Sequence, residues 1–212
     1  MSRKIYRQLF QLTSTMLLGG LLLQACAEAV VVGAGTGATV AHDRRTAGTV
    51  VDDQIIEFKA ASRIRKHKKL KTKIHVSITS YNHIVLLTGE ALSADARSQV
   101  EQIVRGVPKV RRIHNEMVIG EPTTKGSRLK DTWITTKAKT SLFKIKMKGF
   151  DPTRVKVVTE NGTVFLMGLI RPNEGNAAVE RIRNISGVKK VVKVFEYLKP
   201  LKQSPDQATD VE

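Results

Sequence analysis

Val157-Val158-Thr159-Glu160-Asn161-Gly162-Thr163-Val164-Phe165-Leu166-Met167-Gly168 decides the fold. Val155, Val157 and Thr159 fall on one face of an extended chain. Asn161-Gly162 suits a two-residue hairpin turn, because both turn positions need positive φ. Thr163 to Met167 then returns as a second strand. Upstream, Ile134, Ala138 and Leu142 recur every four residues and predict a helix with one apolar stripe, with Asp131 expected as its cap. Downstream, Ala178, Ile182 and Ile185 predict a second helix stopped at Gly187, and Val188 to Tyr197 a third strand. The order is αββαβ, and the crossover helix places the third strand in the same sheet as the antiparallel hairpin.

The same order occurs once before. Asp53 is expected to cap a helix with a stripe of Ile56, Ala60 and Ile64, and Ile74, Val76 and Ile78 alternate within a strand from Lys73 to Ser80. Tyr81-Asn82-His83 turns the chain into Ile84 to Thr88, which ends at Gly89. Ser93 caps a helix bearing Ala96, Val100, Ile103 and Val104, Gly106 stops it, and a strand follows near Val110 to Ile119. Matching positions lie 78 to 81 residues apart: Asp53 with Asp131, Gly89 with Gly168, Gly106 with Gly187. The fold class is therefore α+β: two tandem αββαβ units, each a small three-stranded mixed sheet with two helices, over residues 52–119 and 130–198. Units of this size carry a modest core. Residues 199–212 have no apolar period and read as a disordered tail.

The N-terminus is basic (Arg3, Lys4, Arg7), then apolar up to Leu23, then Gln24-Ala25-Cys26. Residues 1–25 read as a secretory signal peptide. The apolar stretch is short of the roughly 20 residues that a spanning helix needs. Leu23-Gln24-Ala25-Cys26 resembles the lipobox of bacterial lipoproteins, with Gln24 the less typical choice. That resemblance implies cleavage before Cys26, diacylglycerol on its sulfur and an acyl chain (palmitate) on its amino group. The alternative is an incidental thiol. Cys26 is the only cysteine, so no internal disulfide is available. Ala27 after it implies, by the same resemblance, sorting to the outer membrane on its periplasmic face. Residues 26–51 read as a lipidated tether. Gly33-Ala34-Gly35-Thr36-Gly37 within it lacks both the spacing and the βαβ setting of a dinucleotide-binding turn.

The formal net charge of +17 falls to +14 without the leader. Such a charge fits nucleic acid or an anionic membrane surface. Export and low aromatic content argue against nucleic acid, which leaves anionic lipid headgroups as the expected partner. No Ser/His/Asp set, paired carboxylate or phosphate loop stands in a catalytic context, and no cofactor is expected beyond the lipid on Cys26. His75 and His83 flank the first hairpin, and facing one another across it they would invite a metal reading, weakened by the lack of a nearby acidic or cysteine partner in the sequence.

The element order, the repetition and the glycine placement resemble the BON domain family. Asp131-Thr132-Trp133-Ile134-Thr135-Thr136-Lys137, Val157 to Gly162 and Val164 to Leu169 resemble, more narrowly, the dual BON-domain outer-membrane lipoproteins. The resemblance implies a non-enzymatic protein that binds anionic, phosphatidylglycerol-like phospholipid through its second domain, supports outer-membrane integrity and associates with the cell-division site. Envelope proteins are the alternative partners, in a scaffold for assembly or quality control. A hydrolytic envelope enzyme is a further rival class.

Trp133 lies one position off the Ile134 stripe, about 100° around the helix. Thr136, Lys137 and Thr140 are near it, and Phe143, Lys144, Lys146 and Met147 continue the mix of apolar and basic residues. Tryptophan and lysine together compose a surface-binding amphipathic segment. The plainer alternative places Trp133 and Phe143 in the core. Gly89 and Gly168 are expected to serve backbone geometry. The basic run from Arg63 to Lys73 is either a solvated face or a second anionic contact.

Overall fold

The computed structural model describes residues 43–198. Residues 1–42 and 199–212, which hold the expected leader, Cys26, most of the expected tether and the expected tail, lie outside the described residues. Helix α1 spans Ala47–Lys66, so the last residues read as tether belong to it. Strands β1 (Ile74–Tyr81) and β2 (Ile84–Ala91) follow, then α2 (Ala94–Arg105), β3 (Arg112–Asn115) and β4 (Val118–Ile119). The second unit comprises α3 (Lys125–Leu142), a 3₁₀ turn at Pro152–Arg154, β5 (Lys156–Glu160), β6 (Thr163–Ile170), α4 (Pro172–Arg183) and β7 (Lys190–Tyr197). β1 and β2 are antiparallel, and β3 and β4 both run parallel to β2. The expected single strand from Val110 is thus split around Met117, which is buried in the first core. β5 pairs antiparallel with β6, and β7 parallel with β6. Two α+β domains with mixed sheets result, in the expected order.

The two aspartates do not cap helices. Thr46 caps α1 by accepting the Thr49 N–H at 3.1 Å, and Thr124 caps α3 by accepting that of Ser127 at 3.2 Å. Asp53 and Asp131 sit inside those helices, buried, and cap the hairpin turns instead. Asp53 accepts the backbone N–H groups of Asn82 (2.7 Å) and His83 (2.8 Å), the Ser80 hydroxyl (2.7 Å) and an Arg45 N–H (2.9 Å). Asp131 accepts the N–H groups of Asn161 and Gly162, each at 2.8 Å. All four turn residues have positive φ. A two-residue turn points its amide groups inward, and a buried carboxylate satisfies both at once.

β2 also runs past Gly89 instead of stopping there. Gly89 has φ +108°, and a Cβ on it would collide with the carbonyl oxygen of His75 on the paired strand. At Gly168 a Cβ would lie 2.5 Å from the Arg154 carbonyl oxygen. Gly89→Ala is expected to destabilise the chain by about 3 kcal/mol, from strain at positive φ plus the clash. Thermal unfolding checks this.

Every residue of β2 is buried, so both of its faces are covered. Val85, Leu87 and Ala91 join α1 and α2 in the first core, and Ile134, Ala138, Leu142, Leu166 and Ile182 build the second. Ile84 and Leu86 face the other way, against Tyr81, Phe165, Met167 and Val194. The two sheets therefore pack face to face, with helices outside. Polar ties surround this seam. Arg111 meets Glu196 at 2.7 Å, Lys156 meets Glu57 at 3.1 Å, and Arg44 grips both oxygens of Glu174 at 2.6 and 2.8 Å.

Burial pulls the Glu174 carboxyl up, but Arg44 and the Arg171 backbone N–H outweigh it, so it titrates below the ordinary 4.5. Glu196 behaves alike: burial raises it, while Arg111 and Asn82 together lower it further. A depressed carboxylate stabilises the fold above its unfolded pKa, and that stability is lost as pH falls through its folded value. Acid unfolding is thus expected to begin as pH drops below the ordinary glutamate range. Glu174→Gln should flatten that dependence in urea unfolding measured from pH 6 to pH 3.

Candidate functional site: the outer face of helix α3

Ile134, Ala138 and Leu142 are buried in the second core, which turns the neighbouring positions of α3 outward. Trp133 is 63% exposed, not a core residue. Leu129, one turn before it, is 72% exposed, and Phe143 at the C-cap is 69% exposed. Lys137 places its ammonium 5.7 Å from the centre of the Trp133 ring and donates to the Ser186 carbonyl at 2.7 Å. The hydroxyls of Thr136 and Thr140 donate back to the carbonyls of Thr132 and Thr136. Their protons are engaged within the helix, which leaves a surface of methyl groups and acceptor lone pairs.

Two shallow grooves flank the tryptophan. One, of about 330 Å³, is lined by Trp133, Thr136, Lys137, Thr140, Lys144 and Ile185. The other, of about 640 Å³, runs from Trp133 and Lys137 past Lys130 to the Asn161-Gly162 turn and Lys189. Five of the eight residues predicted for this surface, Trp133, Thr136, Lys137, Thr140 and Lys144, thus come together. Phe143, Lys146 and Met147 line neither groove; Phe143 and Lys146 are exposed and Met147 is half-buried. Lys130, Lys189 and Leu129 escaped the sequence reading. Leu129 stands four residues before Trp133, a spacing that puts both on one helix face. Lys189 reaches the site only because the chain after Gly187 passes the hairpin turn, where it bonds Asn161 at 3.2 Å.

His75 and His83 do not face one another. They sit at opposite ends of the first hairpin, His75 opposite Glu90 in register, and His83 3.3 Å from Asp52. The basic run of the first domain is largely exposed, with Arg63 donating to the Gly106 carbonyl. No helix among the described residues is long and apolar enough to cross a membrane.

Comparison with known proteins agrees with this architecture. The BON domain family profile matches residues 52–121 and again 130–199. The chain is 38% identical over 187 residues to the outer membrane lipoprotein DolP of Haemophilus influenzae, covering 86% of this chain and 94% of that protein. It is 39% identical over 156 residues to a 21 kDa hemolysin of Actinobacillus pleuropneumoniae, covering 74% of this chain and 79% of that protein. Among solved structures, the C-terminal domain of CdsD, a structural protein of the Chlamydia trachomatis type III secretion system, is 12% identical with a TM-score of 0.28, over 68% of this chain and 96% of that one. With two BON domains in tandem and this identity along most of its length, the chain belongs to the DolP family of outer-membrane lipoproteins.

Proposed function

We propose that the protein is anchored to the outer membrane through lipid on Cys26 and docks its second BON domain on anionic phospholipid through the outer face of α3. The observation that carries this is the exposed Trp133 among Lys130, Lys137 and Lys189. An indole partitions to the headgroup boundary because its body is apolar and its N–H polar. Lysines beside it meet phosphate, each worth about 1 kcal/mol near an anionic surface. The anchor keeps the chain at the membrane, and the α3 face selects the lipids against which the body rests. Support of outer-membrane integrity and gathering at the division site follow from the family resemblance. The reading contains no catalytic step. Liposome co-sedimentation of the lipid-free protein tests it: phosphatidylglycerol vesicles should retain it, and purely zwitterionic vesicles should not.

A second reading, an envelope scaffold, has its own observation. Val51, Ile55 and Phe58 are exposed along one face of α1. Under that reading protein partners are lost on Phe58→Ser, while vesicle binding is weak and indifferent to headgroup charge.

A further inference from the structure

His75 and Glu90 are direct partners across the β1–β2 pair, with Nδ1 3.0 Å from one Glu90 carboxylate oxygen. Period-two alternation puts Glu90 on the same face as Ile84 and Leu86, toward the second sheet, and it is only 2% exposed. Its other oxygen, Oε1, is buried and finds no hydrogen-bond partner among the described residues. Glu160, the last residue of β5, comes from the second domain, and one donor atom from each of His75, Glu90 and Glu160 lies within 4.8 Å of the others. Burial first, and the charge of Glu90 next, hold the Glu160 carboxyl above its ordinary range. Two carboxylates this close, one with a buried unsatisfied oxygen, are unfavourable unless something positive joins them. Arg128 does not reach the orphan oxygen: its guanidinium lies 3.4 Å from the far nitrogen of His75.

We infer that His75, Glu90 and Glu160 form a binding site for a divalent transition-metal ion of the zinc type, which ties the first domain to the second. One imidazole nitrogen with two carboxylate oxygens is a donor set that zinc accepts, completed by water. Calcium prefers six to eight oxygens and is poorly served by this set. Zinc bonds of about 2.0–2.1 Å in a tetrahedron need donor atoms about 3.3 Å apart, so the widest separation here closes by rotation of the glutamate side chains. A groove of about 460 Å³ lined by His75, Arg128, Thr135, Lys139 and Glu160 gives ion and water access. Arg128 is exposed and free to swing outward when the cation arrives. Two donors come from the first domain and one from the strand that packs on α3, so occupancy would hold the membrane-facing helix in a set relation to the first sheet.

The test is calorimetric titration of the chelator-stripped full chain in detergent with Zn²⁺, and with Ca²⁺ in parallel. One zinc per chain is expected, weakened at least tenfold by His75→Ala and by Glu160→Gln, and no weaker in Arg128→Ala. At a hundredfold excess over Kd, zinc should raise the unfolding midpoint by about 5–10 °C. Both ligand variants alter half-buried side chains, and either one alone suffices if the other fails to fold. Absence of saturable zinc binding by the folded chain would overturn the inference. So would binding that neither ligand substitution weakens, or calcium binding as tight as zinc.

Discussion

Replacing Asp53 with alanine is expected to lower stability by about 3–5 kcal/mol, and the same change at Asp131 by about 2–4 kcal/mol. Asp53 satisfies two turn amides, the Ser80 hydroxyl and one N–H of Arg45, all from a buried position. Removing it takes the acceptor from the two turn amides and the Ser80 hydroxyl, while Arg45 keeps its pairing with Asp43. Asp131 holds two amides and, among the described residues, no cation, so its loss should be smaller. Alanine is the better helix former by a few tenths of a kcal/mol, which works against the effect and makes a large loss diagnostic. Urea unfolding measures both. A loss below about 1 kcal/mol at Asp53 would mean that the turn is held by strand pairing alone.

The second large effect concerns binding. Trp133→Ala should weaken affinity for anionic vesicles by roughly 30- to 150-fold. About half of an aromatic side chain's 150–250 Å² entering the interface is worth about 2–3 kcal/mol at about 25 cal/mol per Å². Lys137→Glu removes one positive charge and adds a negative one, about 2 kcal/mol or roughly 30-fold near a charged surface. The two respond differently to salt. Screening shortens to about 3 Å at 1 M salt, so high salt should erase the penalty at Lys137 and leave most of that at Trp133. Equal losses at low and high salt for both variants would deny the lysine an electrostatic role.

The hairpins, the helix stripes and the repeat were legible in the sequence because each rests on local chemistry: Asn161-Gly162, the fourfold spacing of Ile134, Ala138 and Leu142, and the alternation of Ile74, Val76 and Ile78. The aspartates were misread for the same reason. An acidic residue ahead of an apolar stripe has the local signature of a helix cap, while its actual task is set by a turn about 30 residues away. The true caps, Thr46 and Thr124, precede Gly48 and Gly126, whose poor helix propensity hides the start of each helix. The exposed position of Trp133 was legible as an offset from the buried stripe. Lys189 was not, because only the fold carries it past the hairpin turn. Glu90 resisted sequence reading most. It looks like an ordinary polar residue just past the end of a strand, until the strand continues, the second sheet covers it and Glu160 comes alongside.

The central claim is that the outer face of α3 meets anionic phospholipid. Amide and indole NMR shifts of the lipid-free protein, followed as phosphatidylglycerol-containing micelles are added, test it most directly. The account predicts shifts concentrated at Leu129, Lys130, Trp133, Lys137, Thr140, Lys144 and Lys189, with the Trp133 indole N–H among the largest and zwitterionic micelles nearly silent. Shifts confined to α1 around Ile55 and Phe58, or equal shifts with both micelle types, would contradict it.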